Sequence, residues 1–195
     1  MSSFVGHAGA GMAVFLCRAR PLDRRAAVIL GVLVLLAIAP DLDYLAWWCC
    51  RIQSAPRWTH SLAFCLALAG LASLPGVRWR AALGDYPGFS ACALAACSHI
   101  VLDWLVGVHP LPVLWPLPLP QASAPFGILP SAGHLSLTNY YFWRNLLIET
   151  GILLPLYALA VALARQVPAR RLGRWALLAI PVWTLCLAWS LRVHG

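Results

Sequence analysis

The sequence contains no lysine, few acidic residues and no CxxC pair. Its positive charge comes from 14 arginines, opposed by only six acidic residues. None of the seven cysteines has a metal-spaced partner, and this favours ordinary packing over metal or redox chemistry, including at adjacent Cys49 and Cys50. Basic surface stretches interleaved with aromatics are also missing, so we do not expect nucleic acid as a partner.

Charge is scarce overall, whereas apolar side chains are abundant. Hydrophobic residues make up 62% of the 195 residues and charged residues 10%, and the mean hydropathy is +0.78. These values lie outside the usual range of soluble domains. A membrane-spanning helix needs roughly 20 apolar residues, so the length predicts an all-α, polytopic transmembrane bundle of about six spans and no soluble domain.

The apolar segments divide one integral-membrane domain, residues 1–195, into six predicted spans. These cover residues 4–20, 26–48, 58–74, 86–108, 139–164 and 175–191. The first is short and rich in glycine and alanine, which predicts close packing inside the bundle. Residues 109–138 contain seven prolines, and these predict a long extramembrane or re-entrant loop between spans four and five. With Trp104 and Trp115 nearby, this proline-rich loop is either an interfacial lid or an ordinary connector.

Arginines are distributed unevenly between the two ends of these spans. Ten lie in the links after spans one, three and five, and four lie near the other ends. The positive-inside rule therefore predicts that both termini and the proline-rich loop are non-cytoplasmic. An arginine-only, Ala/Leu/Pro-rich composition is typical of GC-rich bacterial genomes, so we expect a multi-pass bacterial membrane protein.

Ionisable side chains at membrane depth are costly and therefore indicate function. Metal-competent side chains from five predicted spans all map to the outer leaflet: His7, Asp41, Asp43, His60, His99, Asp103 and Glu149. Two independent criteria, residue type and arginine-based orientation, converge on this placement. A mixture of imidazole and carboxylate favours Zn²⁺, Mn²⁺ or Fe over a Ca²⁺ site.

Spacing says which of these residues can act together. His99 and Asp103 are four apart and share a helix face. Asp41 and Asp43 are two apart and would point about 200° apart on a continuous helix, unless the helix ends after Pro40 and brings both inward.

Each residue also has a purely structural alternative. A histidine at a helix end, such as His7 or His60, is often an interfacial residue with satisfied hydrogen bonds. Asp41 could cap a helix or pair with Arg51 or Arg57, and Glu149 could pair with Arg144, although their spacing suits an intrahelical contact poorly. One metal site replaces all of these separate explanations, so we favour it. We do not expect three further histidines, in the loop or at the C-terminus, to be ligands: His109, His134 and His194.

An ordered set of motifs connects these residues. His7 is followed by Pro40-Asp41-Leu42-Asp43, then Arg57-Trp58-Thr59-His60-Ser61, then His99-x-x-x-Asp103. Over residues 7–149 this set resembles the YdjM-type family of bacterial inner-membrane, metal-dependent hydrolases, although that family often has Arg-Gly before Thr-His-Ser. The resemblance implies a metal site built from these histidines and aspartates, and a hydrolytic role.

We therefore expect a membrane-embedded hydrolase with one or two divalent ions, Zn²⁺ or Mn²⁺, that activate water. Glu149 is predicted as a further ligand or as the general base, and Arg57 or Arg144 as a phosphate clamp. A site at headgroup depth favours a lipid or a lipid-linked phosphoester at the outer leaflet. Two alternatives remain open: an ion or metal transporter, which would need polar residues near the midplane, and a structural membrane protein stabilised by metal.

Overall fold

The computed structural model describes residues 2–18, 23–51, 56–74, 87–107, 109–125, 127–131 and 138–194. Within these ranges the regular structure is helical, apart from one isolated antiparallel bridge between Leu111 and Ala122. The predicted link carrying Arg78 and Arg80 lies outside the described residues, as does His134.

Seven α-helices follow one another along the described chain. They are α1 (Phe4–Leu16), α2 (Arg24–Ile38), α3 (Asp43–Cys50), α4 (Leu62–Ser73), α5 (Phe89–Val106), α6 (Tyr140–Ala164) and α7 (Ala169–His194). Two short 3-10 turns, Ala39–Leu42 and Trp58–His60, precede α3 and α4.

Four described segments are long and apolar enough to cross a membrane: Arg24–Leu42, Phe89–Val106, Tyr140–Ala164 and Ala169–Val193. The predicted first and third spans correspond to apolar helices of only 13 and 12 residues, α1 and α4. The all-α, transmembrane class is therefore confirmed. The count of six spans stays a prediction, because two of the six helices are shorter than a full crossing requires.

Helix α1 lies inside the bundle and packs against α2, α5 and α6. Two of its glycines explain how closely it approaches its neighbours. A Cβ atom on Gly11 would lie 2.6 Å from the backbone oxygen of Leu33 in α2, and one on Gly6 would lie 2.5 Å from Oε1 of Glu149 in α6. Only a residue without a side chain fits at these crossings. This packing brings the first residues of the chain to the centre of the molecule.

The predicted second span, residues 26–48, is interrupted in its middle. Helix α2 ends at Ile38, and the chain tightens into the 3-10 turn that contains Pro40. Proline lacks a backbone N–H and its ring disfavours a continuing helix, which accounts for the break. The turn carries Asp41 into the interior, where it is 2% exposed, while Asp43 begins α3. The two aspartates therefore belong to different elements.

The described part of the proline-rich loop rests on the start of α4. The backbone N–H of Leu62 donates to the carbonyl of Val113 over 2.9 Å. The rings of Trp58 and Trp115 lie 6.1 Å apart between centroids. Residues 109–125 and 127–131 contain no helix. The role of this loop as a lid stays a prediction.

Helix α7 is the least buried of the four long apolar segments. It packs on α6, and only 6% of its most apolar stretch is buried inside the bundle. Leu177 and Leu178 are both 77% exposed. In a chain of this hydropathy such a surface faces lipid, so α7 contributes little to the interior.

Candidate metal centre

Four buried side chains meet at one point between the helices. Asp41 comes from the turn after α2, His60 from the turn before α4, and His99 and Asp103 from one face of α5. One ligand atom from each lies within 4.8 Å of those from the other three. We refer to Asp41, His60, His99 and Asp103 as the four-residue cluster.

The spacing of these atoms fits a small metal ion. The Nε2 atoms of His60 and His99 are 3.3 Å apart. From His60 Nε2 the nearest oxygens of Asp41 and Asp103 lie at 3.4 and 3.5 Å, and from His99 Nε2 the same two oxygens both lie at 3.6 Å. Donors placed about 2.1 Å from a tetrahedral centre are separated by about 3.4 Å. Five measured separations thus agree with one tetrahedron.

The tautomer of His99 follows from its other ring nitrogen. Its Nδ1 lies 2.8 Å from the backbone oxygen of Ala37. A carbonyl oxygen can only accept, so Nδ1 carries the hydrogen of the neutral ring and Nε2 presents a lone pair to the cluster. Metal-binding histidines are commonly oriented by such a bond.

Thr59 orients His60 in a similar way. The hydroxyl of Thr59 donates to Oδ2 of Asp43 over 3.3 Å and lies 3.0 Å from Nδ1 of His60. Because its single hydrogen goes to the carboxylate, the hydroxyl accepts from Nδ1–H of His60. When both rings are neutral, the Nε2 lone pair of His60 therefore faces that of His99, and a proton or a metal ion between them makes this arrangement favourable.

The two carboxylates of the cluster also need a cation. Asp41 Oδ1 and Asp103 Oδ2 are buried and have no hydrogen-bond partner among the described residues. A buried carboxylate oxygen that accepts no hydrogen bond is costly. Two carboxylates and two imidazole lone pairs form a donor set that Zn²⁺ or Mn²⁺ would satisfy.

His7 lies beside the cluster on α1. Its Nε2 is 3.4 Å from Oδ1 of Asp103 and 3.8 Å from Oδ2 of Asp41. Its ring stacks on that of His99, with centroids 3.8 Å apart and an angle of 14° between the planes. The structure thus brings the predicted ligand His7 to the edge of the four-residue cluster.

Asp43 is held by Arg57. Nε and Nη2 of Arg57 donate to its two oxygens over 2.7 and 2.8 Å, and the guanidinium lies 4.6 Å from the ring centre of Tyr44. Burial lowers the pKa of Arg57, but the hydrogen bonds to Asp43 together with the electrostatic effects of Tyr44, Asp43 and Asp41 outweigh burial and raise the pKa. Nη2 of Arg57 is also 3.7 Å from Oδ1 of Asp41. Asp43 therefore adjoins the cluster through Arg57 and Thr59 and lies outside its donor group.

Glu149 binds the start of the chain. It accepts hydrogen bonds from the hydroxyl of Ser2 and, over 3.0 Å, from the backbone N–H of Ser3. The backbone N–H of Ser2 in turn donates to Oδ1 of Asp103 over 2.9 Å. Glu149 is thus connected to the cluster through Ser2, and its predicted role as ligand or general base stays a prediction.

Arg144, the second predicted phosphate clamp, has other contacts. Its Nε and Nη2 donate to Oδ1 of Asn145 over 3.0 and 2.9 Å, and the guanidinium lies 5.0 Å from the ring centre of Tyr141. Within the described part of the chain, no hydrogen bond or ion pair joins it to the four-residue cluster. Of the histidines that were not expected to bind metal, His109 is exposed in the loop, and the side chains of His134 and His194 lie outside what the structure describes.

Two contributors to the site were not singled out from the sequence. Thr59 orients His60, and Ser2 joins Asp103 to Glu149. Thr59 belongs to the Thr-His-Ser motif, whose Ser61 caps α4 by accepting from the backbone N–H of Phe64. The position of Thr59 beside His60 was the available indication. No local pattern indicated the role of Ser2, because its hydrogen-bond partners lie more than 100 residues away in the sequence.

Comparison with known proteins places the chain among membrane proteins. A family model described as YdjM inner membrane protein matches residues 1–194. No curated protein and no solved structure matches the chain. The matched region includes every residue of the four-residue cluster.

Proposed function

The chain belongs to the YdjM inner membrane protein family, and we propose that it is a membrane-embedded, metal-dependent hydrolase. The observation that carries this proposal is the meeting of two oriented imidazole lone pairs, 3.3 Å apart, between two buried carboxylates. Such an arrangement is energetically unfavourable in a membrane interior, and one divalent cation would stabilise it.

Asp41, His60, His99 and Asp103 would hold the ion. When bound, Zn²⁺ or Mn²⁺ supplies Lewis acidity and activates water for hydrolysis. The protein's contribution is orientation: Ala37 and Thr59 fix the two imidazole rings, and the bundle excludes bulk water from all four donors. Rigid support of this kind strengthens metal binding.

Arg57 supports a phosphoester or lipid-linked phosphate as the substrate. Its guanidinium is fixed by Asp43 and stands 3.7 Å from Asp41, while its side chain stays 29% exposed. This guanidinium shares its charge with Asp43, and its planar geometry at the edge of the cluster suits phosphate oxygens. Exposed Trp47 and Trp58 nearby are residues typical of the headgroup region. A substrate with a lipid anchor would reach Arg57 by lateral diffusion.

We place this substrate at the outer leaflet of the inner membrane, with both termini non-cytoplasmic. The support is the asymmetry of ten arginines against four across the predicted links. A fluorescent reporter that folds only in the cytoplasm, fused to the C-terminus, is expected to stay dark. A bright fusion would reverse the orientation and move the substrate to the inner leaflet.

One observation favours a second candidate, a structural membrane protein stabilised by metal. Four protein donors at tetrahedral spacing form a closed site, whereas catalytic zinc sites usually keep a position open. In this case the ion would tie α2, α4 and α5 together without turnover.

Metal analysis combined with activity separates these candidates. We would purify the protein in detergent, measure bound metal by mass spectrometry and assay hydrolysis of phosphoester and phospholipid substrates. Asp103→Asn is expected to lose both metal and turnover. The matched control is Asp23→Asn, since Asp23 caps α2 through the N–H of Ala26 and an asparagine can do the same.

The outcomes are distinct. Metal with turnover in the parent and the control, and neither in Asp103→Asn, supports the hydrolase. Metal without turnover on any phosphoester favours the structural candidate. If the folded parent protein is metal-free and does not take up Zn²⁺ or Mn²⁺, both the hydrolase and the structural candidate are wrong.

A further inference from the structure

We infer that Asp41 and Asp103 bridge two cation positions, the second lying beside His7. Each carboxylate turns one oxygen toward His60 and His99 and its other oxygen toward His7. On the far side, Nε2 of His7 is 3.4 Å from Oδ1 of Asp103 and 3.8 Å from Oδ2 of Asp41. This inference rests on the proposed metal centre and deepens it.

His7 provides an observation independent of the carboxylates. It is fully buried, and neither of its ring nitrogens has a hydrogen-bond partner among the described residues. A buried imidazole left without hydrogen-bond partners is costly. Stacking on His99 and the close packing of α1 hold the ring in this position. Its Nε2 therefore completes a donor group of one imidazole and two carboxylate oxygens.

The second position differs from the first in a chemically useful way. The four-residue cluster supplies four protein donors, whereas the position beside His7 has three, His7, Asp41 and Asp103. A position with three protein donors leaves room for water and substrate, as catalytic sites require. The hydrogen bond from the backbone of Ser2 to Oδ1 of Asp103 uses one lone pair of that oxygen and leaves another.

Charge balance indicates the class of substrate. One divalent ion neutralises Asp41 and Asp103, and Asp43 is already balanced by Arg57. The buried carboxylate of Glu149 adds one further negative charge, so a second divalent ion still leaves excess positive charge in a buried site, which an anionic substrate would offset. Paired ions about 3.5–4 Å apart are the arrangement that phosphoester hydrolysis commonly uses. The pair of positions therefore fits a phosphoester better than a neutral ester or amide.

Metal stoichiometry tests the inference without reference to activity. The full chain in detergent, stripped of metal and titrated with Mn²⁺, is expected to bind about two ions per chain, with the magnetic coupling of a carboxylate-bridged pair visible by electron paramagnetic resonance. His7→Asn is expected to bind about one ion, without coupling. The matched control is His109→Asn, which removes an exposed loop histidine and should behave as the parent.

Each result decides the matter. One ion per chain in the parent, unchanged by His7→Asn, overturns the second position while leaving a mononuclear hydrolase intact. No bound ion in the folded parent overturns both proposals. If His7→Asn does not fold, as judged by gel filtration, the stoichiometry and coupling of the parent decide alone. Two coupled ions in the parent support the inference unless folded His7→Asn binds both as well, which would refute it, and two uncoupled ions refute the bridge.

Discussion

The Nε2 atoms of His60 and His99 face each other at 3.3 Å, while each ring has its Nδ1 committed to an oxygen. Neither nitrogen can donate to the other in the neutral state, so the pair is arranged for a shared cation. The rings come from different elements, and each is oriented by a partner that does not itself reach the cluster. Positioning groups are therefore as informative to mutate as the ligands.

Thr59→Val should weaken metal binding about 10- to 100-fold, because it removes the hydroxyl that orients His60 while preserving the shape of the side chain. Competition with a chromogenic chelator measures the dissociation constant. Thr184→Val is the control: the hydroxyl of Thr184 bonds a backbone carbonyl on exposed α7, and its loss should leave affinity unchanged. Equal affinity in the parent and Thr59→Val would show that His60 needs no such support.

Arg57→Lys should reduce kcat/KM for a phosphoester by about 10- to 100-fold, since lysine keeps the charge but cannot form the two-bonded pair with Asp43. Bound metal should stay at the level of the parent. Arg144→Lys serves as the comparison, because Arg144 contacts Asn145 and not the cluster. If Arg144→Lys lowers kcat/KM more than Arg57→Lys does, the arginine that binds the substrate's phosphate is Arg144 and not Arg57.

Glu149→Gln tests the two roles open to this carboxylate. As the anchor of Ser2 and Ser3 it accepts hydrogen bonds, so we expect a loss of about 1–3 kcal/mol in stability with metal retained. A general base would instead show a fall in kcat of about 10²- to 10⁴-fold at unchanged stability. Thermal unfolding in detergent and steady-state kinetics on the same sample distinguish these results.

Gly11→Ala should destabilise the bundle by about 1–3 kcal/mol, because the new methyl group would meet the backbone of Leu33 at 2.6 Å. Gly70→Ala is the matched control: that helical glycine has nothing within 4 Å of the added Cβ, so the substitution should be neutral or stabilising by up to about 1 kcal/mol. Equal melting temperatures for the two variants would show that α1 can move away from α2.

Some of the site follows directly from local pattern. His99 and Asp103 share a helix face because they are four residues apart. Pro40 interrupts its helix whatever the tertiary structure around it. Family resemblance and residue chemistry then bring His60 and Asp41 to the same site. The family is confirmed by the match over residues 1–194, and the all-α membrane class by the helices themselves.

Other features of the site depend on residues that are distant in the sequence, so the local sequence could not predict them. Asp41 and Asp43 look equivalent in sequence, yet Arg57 and Thr59 form hydrogen bonds with Asp43, whereas Asp41 faces the histidines of the cluster. Glu149 is joined to Ser2 across 147 positions. Span count is ambiguous for a physical reason as well, since short helices such as α1 and α4 can be stabilised by packing within a bundle.

The four donors lie at positions 41, 60, 99 and 103, on elements separated by long stretches of chain. No fragment that ends before α5 can hold an ion with all of them. If the proposed centre binds a metal ion, the complete set of four donors therefore exists only after α5 has been inserted, and binding by all four follows that insertion.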